Sequence, residues 1–275
     1  MADSLADDRA GLPDDYFRRP TAAGVWSYWL GGEDHHPVDR VIGEAVLEVN
    51  PRLRVTAGQC RQFLGRAVRY LAGEAGIRQF LDIGTGLPAE PNTHEHAQAV
   101  APDARVVYVD NDPLVLTYAR AWLSSSTAEG STSFLRADAR DPAELMAGAK
   151  ALLDFDRPIA VLLLGILGHI APDFDTMRDI VNQLMAAAPP GSYLVLMDGV
   201  DIDPVYRAGV ARQTELGHPY YLRSPQQFSD CVKGLDLVEP GLVPVTQWHP
   251  ENPEDATEHN DAYGAVAAKP RTEPA

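Results

Sequence analysis

A carboxylate and a glycine turn lie close together in this chain and could form one side of a ligand site. Asp82 ends an apolar segment and is followed by Gly84, Thr85 and Gly86. Glycines let the backbone turn sharply and approach a ligand closely, which a side chain would block. The N–H groups at the start of the next helix can then face polar ligand atoms. The spacing therefore predicts a nucleotide-like site at the end of a buried strand.

Two further carboxylates follow candidate strands. Asp110 ends the segment 105–110, and Asp138, next to Ala139, follows the segment 132–136. Segment 84–89 fits the dinucleotide fingerprint G-x-G-x-x-A. However, Asp82 would repel a pyrophosphate, whereas it can lie beside a cationic methionyl ammonium group. Asp138 can accept a hydrogen bond from an adenine amino group. The pattern thus favours a cationic amino-acid nucleoside over a dinucleotide.

The same acids could instead cap helices. An aspartate just before a helix accepts hydrogen bonds from its first N–H groups. Asp112 and Asp141 directly precede prolines that suit the first helical position, so they are better caps than Asp110 and Asp138. This leaves Asp110 and Asp138 available to a ligand.

Strands and helices that would position these residues alternate from residue 77 onward. The strand candidates are 77–83, 105–110, 132–136, 159–164, 193–197, 241–248 and 262–268. The helix candidates are a segment starting near 21, then 37–49, 53–72, 92–100, 113–124, 141–153 and 174–187, with a helical insert at about 199–232. Apolar strands alternating with helices predict an α/β fold. We expect a Rossmann-like, mostly parallel seven-stranded sheet covered on both faces, plus an N-terminal helical segment.

Composition limits the possible partners. The net charge of −16 over 275 residues predicts that the protein does not bind nucleic acid. The longest apolar stretch, 159–170, is too short to cross a bilayer, so no membrane partner is expected. The first residues lack signal-peptide features, and two cysteines make no disulfide framework, which predicts a cytoplasmic location. His94 and His96 would point to different sides of a helix, so no metal site is predicted.

The layout of Asp82, Asp110 and Asp138 resembles that of class I S-adenosylmethionine-dependent methyltransferases. In more detail, the chain resembles the actinobacterial S-adenosyl methyltransferase family, once catalogued as a domain of unknown function. The segments that carry this resemblance are 26–34, 63–69, 76–88, 106–113, 165–170, 191–196, 221–225 and 263–267. The resemblance implies S-adenosylmethionine as the cofactor and a ribose-binding role for Asp110, helped by Asn111 or Asp112. It also implies a methyltransferase domain at 76–270, and we expect the helical segment at 21–75 to act as a cofactor lid. Residues 1–20 are polar, acidic and proline-bearing, which predicts an extended or loosely held arm.

The methyl acceptor is expected near the ends of the first and fourth strands, at the switch point of the sheet. The fourth strand leads into Gly165 and Ile166, which we expect beside the cofactor, and then into His169. His169 is the candidate general base, although it could instead be a structural histidine that closes the loop. Further candidates for a lid or an acceptor pocket are Tyr28, Asp34, His35, Tyr220 and Tyr221.

The sequence therefore predicts methyl transfer to a small-molecule acceptor. Two other functions stay open at this point. One is a non-catalytic sensor that binds S-adenosylmethionine or a related nucleoside, because no unmistakable catalytic base is present. The other is an NAD(P)-dependent oxidoreductase, because the glycine turn also fits the dinucleotide fingerprint.

Overall fold

The computed structural model describes residues 15–271. Most of the expected polar arm at 1–20 lies outside these residues; the described part begins next to a short 3-10 helix, Tyr16–Arg18. The α-helices of the described chain are α1 (Ala22–Leu30), α2 (Pro37–Val49), α3 (Leu53–Gly73), α4 (Thr93–Val100), α5 (Pro113–Trp122), α6 (Pro142–Ala149), α7 (Leu167–Ile170), α8 (Phe174–Ala187), α9 (Pro204–Glu215) and α10 (Pro225–Cys231). The strands are β1 (Gln79–Ile83), β2 (Arg105–Asp110), β3 (Ser131–Arg136), β4 (Ala160–Leu164), β5 (Tyr193–Gly199), β6 (Asp236–Leu237), β7 (Val243–Pro244) and β8 (Ala262–Ala268).

The strands form one sheet in the order β3-β2-β1-β4-β5-β8-β6, and β7 also pairs with β8. The pairs among β1 to β5 are parallel, whereas β8 runs antiparallel to β5. Chain order reverses direction between β1 and β4, which makes this the switch point where α/β sheets bind ligands. The predicted fold class is confirmed.

Helices cover both faces of the sheet, so its central strands β1 and β4 are buried on both sides. In β1, Leu81 and Ile83 pack into one core with residues of α6, α8 and α10. Phe80, just before Leu81, packs into a second core with residues of α3, α4 and α5. Alternate residues of a strand point to opposite faces, so each strand contributes to both cores.

The N-terminal helices form a third core. Val25 of α1, Val46 of α2 and Ala57 of α3 pack against Tyr206 of α9. The buried Asp39 carboxylate joins the first two helices, since it accepts the N–H of Thr21 at 2.7 Å and that of His36 at 2.8 Å. The start of α1 is thereby fixed beside the carboxyl end of the sheet.

The predicted strand at 241–248 is wrong in extent. Its residues form the two-residue strand β7, followed by a 3-10 helix at Val245–Gln247. Pro244 lacks the N–H that would continue a ladder, which confines it to the sheet edge. β6, also two residues long, pairs with β8 as well, so two short strands share the seventh position of the sheet.

The described residues contain no helix that combines the length and the apolar character needed to cross a membrane.

Candidate active site

The glycine turn after β1 is held against the end of β2. The Gly84 N–H donates to the Val109 carbonyl at 2.8 Å. Gly84 and Gly86 have φ angles of 70° and 66°, which L side chains rarely adopt. A Cβ at Gly84 would lie 2.2 Å from Cδ1 of Ile166. Gly84 must therefore be a glycine for two reasons: its φ angle forms the turn, and the loop after β4, which carries Ile166, comes too close for a side chain.

Asp110, at the end of β2, closes this turn. Its Oδ2 accepts the Gly86 N–H at 3.1 Å, and its Oδ1 accepts the Asp112 N–H at 3.0 Å. Burial raises the pKa of Asp110 to about 6, against the lowering effect of these two hydrogen bonds. The side chain of Asp112 instead caps α5 through the Leu114 N–H, as predicted. Asp110 therefore does not cap a helix; its carboxylate is held by the N–H groups of Gly86 and Asp112.

Asp82 lies in β1 and is 5% exposed. Its Oδ2 accepts a hydrogen bond from the Thr93 hydroxyl at 2.6 Å, and burial raises its pKa. The nearby Arg61 guanidinium acts in the opposite direction on this pKa. Arg61 itself donates to the carbonyls of Ala89 and Pro91. The buried acid Asp82 and the cation of Arg61 line the same cavity.

Asp138 follows β3 and is partly occupied by neighbouring groups. Arg140 forms an ion pair with its carboxylate, and Asn111 Nδ2 donates to Oδ2 at 3.2 Å. The Arg140 hydrogen bond is the main reason that the pKa of Asp138 falls to about 2. Asp141 caps α6 through the Glu144 N–H, again as predicted. Asp138 is therefore ionised and holds a cation of its own loop.

These groups surround a cavity at the carboxyl end of the sheet, here called the first cavity. Its empty volume is about 1180 Å³, part of which is open to solvent. Every residue predicted to bind the cofactor lines it. They are Asp82, Gly84, Thr85, Gly86, Asp110, Asn111, Asp138, Ala139, Gly165 and Ile166. The start of α1 adds Thr21, Ala22, Ala23 and Trp26 to the same wall.

A second cavity adjoins the first. Its empty volume is about 580 Å³, again partly open to solvent, and most of its wall comes from α1, α2, α3 and α9. Both cavities are lined by one set of residues, here called the shared wall: Trp26, Cys60, Gly165, His169 and Met197. The two spaces therefore meet at the switch point of the sheet.

The shared wall carries no formal charge near neutral pH. Burial and the adjacent His218 lower the pKa of His169 to about 3, although part of its ring faces the cavities. Burial also raises the pKa of the Cys60 thiol. A hydrogen bond links His169 to the backbone of Pro219. Because proline offers only a carbonyl, His169 donates there, and its other ring nitrogen is left as an acceptor.

Asp198, near the end of β5, holds the short helix α7, which carries His169. Its Oδ2 accepts the Gly168 N–H at 2.8 Å, and its Oδ1 accepts the Gly199 N–H at 3.0 Å. Burial raises its pKa to about 7. Sequence reasoning missed Asp198, although it follows a predicted strand just as Asp110 does.

Only one of the residues predicted for a lid or an acceptor pocket lines a cavity. Tyr220 lines the second cavity. Tyr221, Tyr28, Asp34 and His35 line neither cavity. The guanidinium carbon of Arg54 instead lies 4.8 Å from the centre of the Tyr28 ring. His35 Nδ1 forms a hydrogen bond with the Gly32 carbonyl. Tyr28 packs on this outer side because Gly43 of α2 leaves room for its ring.

Arg61 and Cys60 were missed as functional candidates. Both face the cavities, yet in the sequence they belong to an ordinary amphipathic helix. Helical periodicity alone does not separate a cavity-facing side chain from a core-facing one.

Asp203, His259 and Asp261 were not singled out in the sequence, but the fold brings them together. Their potential ligand atoms all lie within 4.8 Å of one another. His259 Nε2 is 2.8 Å from Asp261 Oδ1, and Asp203 pairs with Arg52 at 3.1 Å while capping α9. These contacts join the start of α9 to the start of β8, and we interpret the group as a structural tie.

Comparison with known proteins identifies the family. The family model described as S-adenosyl methyltransferase matches residues 15–270. The chain belongs to this family. It is accordingly an S-adenosylmethionine-dependent methyltransferase, and S-adenosylmethionine is its cofactor. The resemblance seen in the sequence is confirmed, and the nicotinamide alternative is not supported. No functionally curated protein matches the chain at a significant level.

Solved structures agree with the family. A DUF574 family protein from Streptomyces avermitilis MA-4680 is 40% identical, with a TM-score of 0.86 over 92% of this chain and 99% of that one. A candidate methyltransferase from Thermobifida fusca YX is 37% identical, with a TM-score of 0.86 over 94% and 98% of the two chains. Human N-acetylserotonin methyltransferase, solved with S-adenosylmethionine, is 12% identical with a TM-score of 0.51 over 98% and 66%, a likeness of fold alone.

The first cavity suits the chemical groups of this methyltransferase's cofactor. A ribose offers hydroxyl donors, and Asp110 offers a carboxylate acceptor at the cavity. A methionyl group is a zwitterion, and Asp82 and Arg61 offer the two opposite charges. Ala139 and Ile166 offer apolar surface for a flat base. The donor set and the glycine turn are thus compatible with S-adenosylmethionine.

Proposed function

We propose that this enzyme transfers a methyl group to a small molecule bound in the second cavity, from a cofactor bound in the first. The observation that carries the proposal is the shared wall, where the two cavities meet without a charged side chain. S-adenosylmethionine supplies the methyl group from its sulfonium centre. The protein then has to align two reactants and exclude water, which accounts for much of the catalysis in such a displacement.

We assign the first cavity residue by residue. Asp110 accepts hydrogen bonds from the ribose hydroxyls, and the backbone of Gly84, Thr85 and Gly86 lies along the methionyl side. Asp82 holds the ammonium group, and Arg61 holds the carboxylate. The support is electrostatic, since a buried acid and a half-buried cation each gain from an opposite charge.

At the other end of the first cavity, Asp138 accepts a hydrogen bond from the adenine amino group, which takes the place of one of its present donors. Ala139 and Ile166 contact the base. Asn111 orients Asp138 through the hydrogen bond described above. A carboxylate has about four acceptor positions, and the Arg140 N–H, the Arg140 guanidinium and Asn111 take all of them, so the adenine amino group displaces one guanidinium contact.

We propose that α1 and the helices after it act as a cover for the cofactor. Thr21, Ala22, Ala23 and Trp26 line the first cavity from the side opposite the sheet. Ala23 lies near Gly86, because a Cβ at Gly86 would be 3.9 Å from the Ala23 Cβ. This cover would exclude water from the methyl group.

His169 has a limited role as a base in this scheme. Its free ring nitrogen can accept a hydrogen bond from an acceptor hydroxyl or amine. With a pKa of about 3, it is too weak to remove that proton before the methyl group arrives. We therefore propose that His169 orients the acceptor and takes its proton only as the new bond forms.

A labelling experiment tests this function. The protein is incubated with methyl-labelled S-adenosylmethionine and a cell extract divided by ultrafiltration. The proposal predicts transfer of label to a compound in the low-mass filtrate. Transfer only to the retained protein or nucleic acid would contradict it, and so would the absence of transfer while S-adenosylhomocysteine binds. An Asp110→Ala variant, weakened in cofactor binding, is the control for enzyme-dependent label.

A further inference from the structure

The second cavity contains a side chain that the fold itself does not use. Asn50 follows α2 and is 0% exposed. Within residues 15–271, neither its Oδ1 nor its Nδ2 has a hydrogen-bond partner. A buried carboxamide without partners costs stability, because its bonds to water are lost and not replaced. Such a group needs an explanation beyond packing.

The backbone of Asn50 does not require an asparagine. Its N–H donates to the Val46 carbonyl at 2.8 Å, and its carbonyl accepts the Leu53 N–H at 3.2 Å. Its φ of −129° is open to any residue. The side chain neither caps a helix nor relieves strain here.

A second carboxamide faces the same space. Gln213 of α9 lines the second cavity and is 3% exposed. Gly209, one turn earlier on the same face, lies beside Asn50, since a Cβ there would be in ordinary contact with the Asn50 Cβ at 3.4 Å. Both amides are therefore held by the packing of α2 against α9.

Apart from Thr56, the rest of the wall is apolar or aromatic. Trp26 and Trp29 meet edge to face at 6.1 Å, and Tyr206 and Tyr220 line the same cavity. None of its lining residues, all within the described range, is an aspartate, glutamate, lysine or arginine. A charged ligand would lose its hydration without gaining a counter-charge.

From this combination, and resting on the proposed function, we infer that the methyl acceptor is an uncharged, flat molecule with an amide-like edge, such as a lactam. The Asn50 carboxamide offers a donor and an acceptor side by side, so it pairs with an adjacent N–H and C=O. The aromatic wall contacts the ring faces. The atom to be methylated then points to the shared wall.

Three related probes test this inference: 2-quinolone, quinoline and quinoline-2-carboxylate. They share a bicyclic ring, but only the first has the lactam edge and only the last is charged. Their binding is measured by calorimetry in saturating S-adenosylhomocysteine. The inference predicts that 2-quinolone binds most tightly and the carboxylate most weakly. Equal binding of 2-quinolone and quinoline, or tightest binding of the carboxylate, would overturn it.

The variant Asn50→Leu separates recognition from structure. It is expected to weaken 2-quinolone binding about tenfold or more while leaving quinoline unchanged, as expected for lost hydrogen bonds. It is also expected to raise the denaturation midpoint, because two unpartnered polar atoms are removed. Equal losses for both probes, or a lower midpoint, would contradict a recognition role. The exposed Asn182, changed to Leu, is the matched control.

The same titrations distinguish this inference from the proposed function. Binding of S-adenosylhomocysteine to the protein alone tests the first cavity and is independent of Asn50. If it binds and the probe order fails, only the acceptor class is wrong. If it does not bind, the proposed function fails, and the Asn50→Leu comparison without cofactor still tests the amide contact.

Discussion

The Gly86 N–H donates to Asp110 Oδ2 at 3.1 Å, so the glycine turn after β1 and the acid that ends β2 form one unit. This hydrogen bond aims the carboxylate along the edge of the sheet where the first cavity lies. It also fixes a backbone that only glycine adopts easily. Burial raises the pKa of this acid to about 6, a cost in folding that is typical of groups at functional sites.

Replacement of Asp110 by Ala is expected to weaken S-adenosylhomocysteine binding by about 1–3 kcal/mol, because charge-assisted bonds to the ribose are lost. Isothermal titration calorimetry measures the change. Asp179, whose side chain is 63% exposed on α8, provides the control Asp179→Ala, which should bind as tightly as the wild type. Unchanged affinity of Asp110→Ala would remove the ribose assignment.

Replacement of Arg61 by Gln tests the methionyl end of the first cavity. We expect affinity for S-adenosylhomocysteine to fall by about tenfold, since an ion pair to its carboxylate is lost. Binding of 5′-methylthioadenosine, which has no amino-acid group, should stay the same. Equal losses for both ligands would mean that Arg61 only holds the carbonyls of Ala89 and Pro91.

Replacement of Gly84 by Ala should lower both stability and cofactor affinity. The new Cβ would lie 2.9 Å from the Ile166 Cβ, at a φ of 70° that costs about 1–3 kcal/mol for a non-glycine residue. Urea denaturation measures the loss. At Gly58 of α3, a Cβ meets nothing within 4 Å, so Gly58→Ala should gain about 0.5–1 kcal/mol. Similar effects at the two glycines would refute the argument from backbone geometry.

Asp198 predicts a specific pH dependence of stability. Its pKa is raised by burial from 3.8 to about 7 in the folded protein. The protonated form is therefore favoured by folding, and this contribution is complete below about pH 4 and lost as the pH rises through about 7. The contribution is on the order of 2–4 kcal/mol.

The variant Asp198→Asn isolates that dependence, because its side chain does not titrate. Relative to the wild type, the variant should gain free energy of unfolding between about pH 4 and about pH 8. Loss of one acceptor shifts its curve by a constant amount and leaves the slope difference intact. Parallel curves from urea denaturation across this range would contradict the raised pKa.

Much of the fold and of the lining of the first cavity could be predicted from local patterns. The acids at 82, 110 and 138 each end or follow an apolar strand, and parallel strands bring such ends to one edge. The caps at Asp112 and Asp141 were predictable because each precedes a proline. The short extent of the strand predicted at 241–248 could not be foreseen. Pro244 ends the strand, and Trp248 is buried by contacts with distant segments rather than by strand periodicity.

The acceptor side depends on packing between distant segments, which a single sequence does not reveal. Asn50 and Gln213 come together only because α9 folds back onto α2. Asp138 looked free in sequence, but Arg140 of the same loop pairs with it. His169 looked like a base, and its burial beside His218 weakens it. Long-range contacts therefore decide what each polar side chain can do.

A crystal structure with S-adenosylhomocysteine tests the central claim most directly. We expect the ribose to lie at Asp110 in the first cavity. The sulfur atom is expected at the shared wall, where it faces the second cavity across Gly165 and His169. A sulfur atom directed away from the second cavity, or a ribose remote from Asp110, would contradict it.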